Sequence, residues 1–200
     1  MLKGERTRKR IIAKAAAIFN RKGFAGCSMQ DISAATGLEK GSLYSHFGSK
    51  EDLAAEAFDY AWSETCAARV GNLGDTSNSV DKLKLHIDNV ASRPSFAGGC
   101  PMLNTALDSD DGNVTLRRRA ERAMRGWVGL LADLVRDGQL KNEIRSSVDP
   151  EGLAMLIISL LEGASASAKL QRSSLAMTLA KQHLTEHLES HVRLAADEKR

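Results

Sequence analysis

The sequence has few residues that stop helices or favour strands. Only three of its 200 residues are proline, at positions 94, 101 and 150, and aromatic residues make up 4% of the chain. Long stretches therefore contain neither helix breakers nor the composition typical of β-strands. The sequence predicts an all-α protein, and its 42% hydrophobic content is enough to form a core.

Cysteine is also scarce, and its spacing excludes the common cysteine-based sites. Cys27, Cys66 and Cys100 are an odd number without a C-x-x-C pair, which indicates reduced thiols in a cytosol. The charged residues before Thr7 do not form a secretory signal. The most hydrophobic stretch, residues 153–161, is shorter than the roughly 20 residues that span a bilayer. We therefore expect a cytoplasmic protein without a membrane partner.

Charge is unevenly divided along the chain. Residues 1–50 contain ten Lys and Arg against three acidic residues, a net charge of +7. Since the whole chain carries +3, residues 51–200 carry −4. A basic N-terminal segment on an acidic body favours a polyanionic partner, although charge by itself fits a solvated basic arm better.

Apolar periodicity and capping residues divide the chain into nine predicted helices. The first, about residues 5–22, ends at Gly23 and has one apolar face made of Ile11, Ile12, Ala15, Ile18 and Phe19. Ser28 is expected to cap the second helix, which ends at Gly37, and Ser49 is expected to cap the fourth. The later helices are predicted at about 79–91, 100–108, 113–138, 150–168 and 174–195, with an Asp149-Pro150 cap before 150–168.

The second and third helices, joined through residues 36–38, have the spacing of a helix-turn-helix. The second member of that motif lies in the major groove of DNA and presents small or polar residues outward. Leu43 and Phe47, four residues apart, are expected to face the core. The DNA side is predicted to carry Lys40, Gly41, Ser42, Tyr44, Ser45 and His46, with phosphate contacts at the helix N-termini from Ser28, Met29 and Lys50. The alternative is an ordinary helical corner in which Tyr44 and His46 simply pack.

These residues resemble the DNA-binding signature of the tetracycline-repressor (TetR) family. The match runs over about residues 7–60 and includes residues 32–38, the Lys-Gly-x-Leu-Tyr-x-x-Phe core within residues 40–47, and residues 49–53. Glu39 and Ser33 depart from the pattern, which usually has Ser or Thr at the first position and Ala at the second.

The resemblance implies both a domain organisation and a function. A helix-turn-helix DNA-binding domain would occupy residues 1–48, and an effector-binding and dimerisation domain would occupy residues 49–200. The family comprises transcriptional regulators, and the resemblance favours a repressor. Its partners would be double-stranded operator DNA, a second copy of the chain and a small-molecule effector.

The last two predicted helices are apolar and, by the resemblance, pair with those of a second copy. Their widest apolar face carries Leu153, Leu156, Ile157, Leu160 and Leu161, which is broad enough for the chain's own core and for a partner. We expect a two-fold homodimer built on about residues 150–195, and a palindromic operator. Aspartate at Leu160 or Leu161 is expected to give monomers.

The resemblance also implies an effector pocket among the middle helices, and no cofactor is expected. The side chains that could line such a pocket are Trp62, Cys66, His86, Phe96, Cys100, Met102, Met124 and Trp127. Residues of these types more often fill a core. The sequence identifies neither the effector nor the operator.

Cys100 has a second interpretation, as a sensor thiol for electrophiles or oxidants. It precedes Pro101 at a predicted helix start, where unsatisfied backbone N–H groups favour a thiolate. The pattern Gly-Cys-x-x-x-Asn at residues 99–104 is similar to that of TetR-family regulators that respond to electrophiles through a cysteine. Cys27, which also precedes a helix, is a competing reactive site. A small buried residue that packs its helix is the simpler explanation of Cys100.

Residues that would support an enzyme or a metal protein are few. The motifs G-x-S-x-G and H-E-x-x-H, the P-loop and the glycine-rich dinucleotide turn do not occur, so an enzyme could only use Cys100 as its nucleophile. His183, His187 and His191 share one helix face and could hold a transition metal. No acid or cysteine completes that set, and polar residues along a dimer seam explain the histidines better. We expect neither catalysis nor a metal site.

Overall fold

The computed structural model describes residues 3–92, 96–109 and 112–195. Within these ranges the chain forms nine α-helices: α1 (Lys3–Gly26), α2 (Met29–Thr36), α3 (Lys40–His46), α4 (Lys50–Val70), α5 (Ser79–Ser92), α6 (Pro101–Asp108), α7 (Val114–Leu140), α8 (Pro150–Gln171) and α9 (Leu175–His187). One turn of 3-10 helix, Leu73–Asp75, follows α4, and a π-helical turn, Leu188–Val192, follows α9. The predicted all-α fold is confirmed.

The predicted caps of α2 are present. The Ser28 Oγ accepts a hydrogen bond from the Asp31 N–H at 3.1 Å, and Asp31 Oδ2 accepts one from the Ser28 N–H at 2.8 Å. This reciprocal capping box satisfies two backbone donors at the helix start. Gly37 ends α2 in the left-handed conformation, with a φ of 72°.

The predicted starts of α4 and α8 are also confirmed. The Ser49 Oγ accepts from the Asp52 N–H at 3.0 Å at the start of α4. The Asp149 carboxylate accepts from the Gly152 N–H at 3.1 Å, and Pro150 occupies the first position of α8. Short-range capping chemistry therefore predicted where these helices begin.

α1 continues past its predicted end at Gly23. Gly23 does leave the helical conformation, with a φ of 74° and a ψ of 169°, but a further turn follows and ends at Gly26. The Asp108 carboxylate lies directly beside Gly23 and accepts a hydrogen bond from the Phe24 N–H at 2.6 Å. A β-carbon at residue 23 would clash with that carboxylate, so both the φ and the space require glycine.

α9 is shorter than predicted. Its regular part ends at His187 rather than near residue 195, and the π-helical turn carries the chain to Val192. The Val192 carbonyl then accepts from the Arg145 N–H at 3.0 Å, and the Leu194 N–H donates to the Glu143 carbonyl at 2.9 Å. These long-range bonds replace the intrahelical bonds that a longer α9 would form.

The described residues divide into two compact units, and the first lies within residues 1–66 and 95–124. Its core forms where α1, α2, α3 and α4 bring together fully buried side chains, including Ile11, Ile32 and Leu43. α6 packs against α1 in the same unit. The short helices α2 and α3 are thereby held on a single apolar core.

The second unit lies within residues 67–94 and 125–200. In it α8 packs against α9, and α5 packs against both helices. α8, 22 residues long, is the most apolar of them. An 18-residue stretch of it has a mean hydropathy of 1.5, enough by length and composition alone to cross a membrane, and 39% of that stretch is buried. Glu162 directly follows the apolar run at residues 153–161, so that run is no longer than expected from the sequence.

Candidate nucleic-acid interface and effector site

α3 has one buried side and one exposed side. Leu43 is fully buried and Phe47 is 3% exposed, so both face the core as predicted. Tyr44 is 48% exposed and therefore does not fill that core. All six residues predicted to face DNA retain accessible surface: Lys40, Gly41, Tyr44 and Ser45 are exposed, and Ser42 and His46 are half-buried.

The first turn of α3 places no steric demand on Gly41. A β-carbon built there would meet no atom within 4 Å, so the fold itself does not require glycine. The missing side chain leaves the exposed backbone accessible, which suits a close approach to a phosphate. Glu39 occupies the preceding cap position, but its side chain makes no capping hydrogen bond.

The N-terminus of α2 carries two further predicted contact residues, which differ in exposure. Ser28 is exposed, and its hydroxyl belongs to the capping box. Lys22 bonds to Asp31 Oδ1 at 2.6 Å, and this bond, together with those from Ser28, holds the pKa of the Asp31 carboxyl well below its usual range. Met29 is 7% exposed and lies in the core, so its side chain is unavailable and only its backbone N–H could contact DNA.

Lys50, the first residue of α4, is held by an aromatic side chain. Its Nζ lies 4.2 Å from the centroid of the Phe24 ring, a cation–π contact, and Phe24 stacks on Phe19 with a centroid distance of 6.2 Å. The ammonium group therefore sits at a helix N-terminus, where the helix dipole also favours an anion.

The eight residues predicted to line an effector pocket are divided between the two units. In the first unit Trp62, Cys66, Phe96 and Met124 are half-buried, and Cys100 and Met102 are buried. In the second unit His86 and Trp127 are buried and in direct contact, since Trp127 Nε1–H donates to His86 Nε2 at 2.8 Å.

Two charged residues that the sequence did not single out lie beside this pair. The Arg69 guanidinium carbon lies 4.1 Å from the centroid of the Trp127 ring, and its Nη2 lies 3.4 Å from Glu162 Oε1. Arg69 is 6% exposed and Glu162 is 7% exposed. One feature of the sequence could have pointed to Glu162, because this charged residue directly follows the apolar run at residues 153–161.

Burial and charge keep His86 neutral. Removal of the ring from water is the main cause, and the positive charge of Arg69 adds to it, so that the pKa of His86 falls from 6.5 to about 4. An interaction with the Arg69 backbone raises the pKa and so offsets part of this shift. His86 is therefore an uncharged imidazole at neutral pH.

α8 and α9 form an apolar groove on the second unit. It is lined by small and apolar residues together with one histidine: Ser159, Leu160, Gly163, Ala164, Ser167, Ala176, Leu179, Ala180 and His183. Leu160 is half-buried in this groove, whereas Leu161 is fully buried inside the unit. The two leucines, which were predicted to be equivalent, therefore face different environments.

Of the three histidines predicted to share one helix face, two are in contact. The rings of His187 and His191 stack with a centroid distance of 5.1 Å, whereas His183 lies in the groove. Burial, and then the neighbouring charges of His191 and His183, lower the pKa of His187. Among the described residues no three metal-ligating side chains are grouped closely enough to hold an ion.

Both predicted reactive thiols are buried. Cys100 is 3% exposed at the N-cap of α6 and makes no side-chain capping bond. Cys27 is 1% exposed, and burial, followed by the charge of Asp31, raises the pKa of its thiol. A sensor role for Cys100 remains a prediction, and the raised pKa makes Cys27 a poor competitor for it.

Two protein-family models match the chain. Residues 11–57 match the model described as bacterial regulatory proteins, tetR family, and residues 80–184 match the tetracyclin repressor-like, C-terminal domain. The second match covers more than half of the chain. The chain therefore belongs to the TetR family, and it is a helix-turn-helix, DNA-binding transcriptional regulator.

Individual proteins show the same similarity over nearly the whole length. A TetR transcriptional regulator from Chloroflexus aurantiacus J-10-FL is 43% identical with a TM-score of 0.93, and the match covers 98% of this chain and 100% of that one. A TetR-family regulator from Cytophaga hutchinsonii is 30% identical with a TM-score of 0.91 and 98% coverage of both chains. The HTH-type transcriptional repressor DhaR of Mycobacterium sp. (strain GP1) is 26% identical over 167 residues, 83% of this chain and 84% of DhaR.

Proposed function

We propose that this regulator is a repressor that binds a palindromic operator and releases it when a small molecule binds. The observation that carries the proposal is the arrangement of α3, whose polar side is exposed while Leu43 and Phe47 fix the helix to its core. A recognition helix needs such a rigid base, because base-edge contacts depend on position. The similarity to the repressor DhaR supports repression rather than activation.

The domain organisation proposed from the sequence is retained. Residues 1–48 would form the DNA-binding domain, and residues 49–200 the effector-binding and dimerisation domain. The first compact unit is larger than residues 1–48, because it includes part of α4 and all of α6. We propose a cytoplasmic location because operator DNA lies there, and we assign the chain no catalytic role.

The dimer would form on the α8–α9 groove. Leu179 in this groove is 55% exposed, and apolar residues on the same two helices are exposed beside it: Met155 at 44%, Leu156 at 48%, Leu170 at 85% and Leu175 at 60%. Exposed apolar surface of this extent is typical of a protein interface. The small residues Gly163, Ala164 and Ala180 would let helices of a second copy approach closely.

Titration of operator DNA at several salt concentrations tests the proposed interface. The DNA is a duplex selected by the wild-type protein from a random-sequence pool, and binding is followed by fluorescence anisotropy. Lys50→Ala should reduce the slope of log affinity against log salt by about one, because one phosphate contact is lost. Tyr44→Ala should weaken binding.

Lys82→Ala is the matched control, since it removes the same charge from α5. It should leave the salt slope at the wild-type value. A Tyr44→Ala/Lys50→Ala double variant that kept wild-type affinity would refute the assignment of residues 28–50 to DNA.

A further inference from the structure

The second unit contains a buried polar cluster composed of Arg69, His86, Asn89, Trp127 and Glu162. None of the five residues is more than 7% exposed. Asn89 Nδ2 donates to the Arg69 carbonyl at 3.0 Å and to Asn72 Oδ1 at 2.7 Å, which anchors the end of α4 to α5. Together with the Trp127–His86 hydrogen bond, these contacts give the cluster a fixed geometry.

Glu162 Oε2 and His86 Nδ1 in this cluster lack the partners that buried polar groups normally have. Glu162 Oε2 has no hydrogen-bond partner among the described residues, and Oε1 lies 3.4 Å from Arg69 Nη2. That distance is longer than the roughly 2.7–2.9 Å of a charge-assisted hydrogen bond. Glu162 Oε2 is therefore placed to accept a hydrogen bond from a bound molecule.

His86 presents the complementary group. Its Nε2 accepts from Trp127, so the proton of the neutral ring lies on Nδ1. Nδ1 has no partner with hydrogen-bond geometry in the described part of the chain. The cluster thus offers a ligand a donor, His86 Nδ1–H, and an acceptor, Glu162 Oε2.

We propose that Glu162 and His86 are binding residues of the effector site, and that the effector is a small uncharged molecule with a hydrogen-bond donor and an acceptor. This assignment rests on the proposed function, because it gives the ligand-responsive regulator its ligand contacts. The effector's donor bonds to Glu162 Oε2, and its acceptor receives the His86 Nδ1–H.

The charge of the cluster determines the class of ligand. Arg69 and Glu162 cancel each other and His86 is neutral, so the buried cluster has no net charge. An anionic ligand would be repelled by Glu162 and a cationic one by Arg69, and each would lose its hydration in a buried site. Leu83, Leu131 and Ile158, one helical turn from His86, Trp127 and Glu162 respectively, are fully buried, so the same helices also carry apolar core residues.

Three size-matched probes test this proposal on the full-length protein by isothermal titration calorimetry. Benzamide carries an N–H donor and a carbonyl acceptor without charge, whereas benzoate and benzylamine are its anionic and cationic counterparts. Benzamide should bind at least about tenfold more tightly than either charged probe. Glu162→Gln should weaken benzamide by about tenfold or more, because the bond to a charged acceptor is lost.

Glu186→Gln is the matched control, since it makes the same change at an exposed position on α9, and it should bind benzamide like the wild type. His86→Phe is a second variant at the site and should also weaken benzamide, because it removes the Nδ1–H donor. The far-UV circular dichroism of each variant establishes that it is folded. Equal benzamide affinity in wild type and Glu162→Gln, tighter binding of either charged probe, or no binding heat with any probe would overturn the proposal.

Operator release by benzamide distinguishes a failure of this binding site from a failure of the proposed function. Benzamide should release operator DNA from the wild type and from Glu186→Gln, but about tenfold less effectively from Glu162→Gln. If benzamide binds as expected but leaves the operator complex intact, regulation by a ligand at this site is contradicted, whereas the binding site itself is not. If release is undiminished in Glu162→Gln, the assignment of Glu162 to the binding site is contradicted, whereas regulation by a ligand is not.

Discussion

Glu162 is a buried charged residue in an otherwise apolar part of α8. It follows a run of apolar residues on α8 and is buried with Arg69 at a distance too long for a strong ion pair. Buried ion pairs repay the loss of hydration only when their geometry is good. A carboxylate in this position is better explained by binding than by folding, which is why the proposed effector contacts centre on it.

His86 makes the stability of the protein depend on pH. Its pKa is about 4 in the folded protein against an ordinary value of 6.5, so the unfolded chain binds more protons between these two pH values. The contribution is therefore fully present above pH 6.5 and is lost as the pH falls toward 4. The lost stability should be about 3 kcal/mol, from about 1.4 kcal/mol for each unit of pKa difference.

Urea unfolding at a series of pH values measures this loss. His86→Gln retains an acceptor for the Trp127 N–H but cannot be protonated, so its stability should fall less steeply over the same range. If wild type and His86→Gln lose stability in parallel between pH 6.5 and 4, His86 is not the buried neutral histidine described above.

Only part of this cluster could be predicted from the sequence. His86 and Trp127 were candidates because their residue types recur in ligand pockets, but nothing local connects them, since they lie 41 residues apart. Arg69 and Glu162 are separated by 93 residues, so their pairing depends on how α4 and α8 pack. Local periodicity carries no information about such contacts.

At the scale of helices, local chemistry predicted beginnings better than ends. Ser28, Ser49 and Asp149 cap their helices as expected, because a cap depends on residues within three positions. α9 ends early because its C-terminal turn bonds to the chain near residues 143–145, which no local pattern could reveal. The buried side chain of Met29 was missed for the same reason, since α2 meets its core through tertiary packing.

Substitutions on the exposed and buried sides of the α8–α9 pair are expected to have different effects. Leu179 is exposed in the groove, so Leu179→Asp should leave the fold intact and shift the proposed dimer to monomer, because a charge would be buried at the interface. Leu161→Asp should instead prevent folding, since that side chain is fully buried. Light scattering and circular dichroism measure the two effects.

Leu107→Asp provides the matched control for Leu179→Asp. Leu107 is 75% exposed on α6, outside the α8–α9 groove, so its replacement should change neither mass nor helicity. A wild-type protein that is monomeric at micromolar concentration, or a Leu179→Asp variant that remains dimeric, would show that the groove is not the dimer interface.

At the scale of the whole molecule, the basic charge of residues 1–50 and the exposed side of α3 belong to the same segment of chain. Lys and Arg supply affinity for the phosphate backbone of any DNA, whereas the polar side of a recognition helix supplies sequence preference. A monomer would contribute one such helix. Two copies related by a two-fold axis would read two half-sites in opposite orientation, which is the physical basis for expecting a palindrome.

Hydroxyl-radical footprinting of the selected DNA tests this central claim most directly. The wild-type protein should protect two half-sites that are related by a dyad and centred about 34 Å, one helical turn, apart. Tyr44→Ala/Lys50→Ala should lose the protection, and Leu179→Asp should lose it at protein concentrations where the wild type still protects. Protection of a single site without a dyad, or no sequence-dependent protection by the wild-type protein, would contradict a dimeric operator-binding regulator.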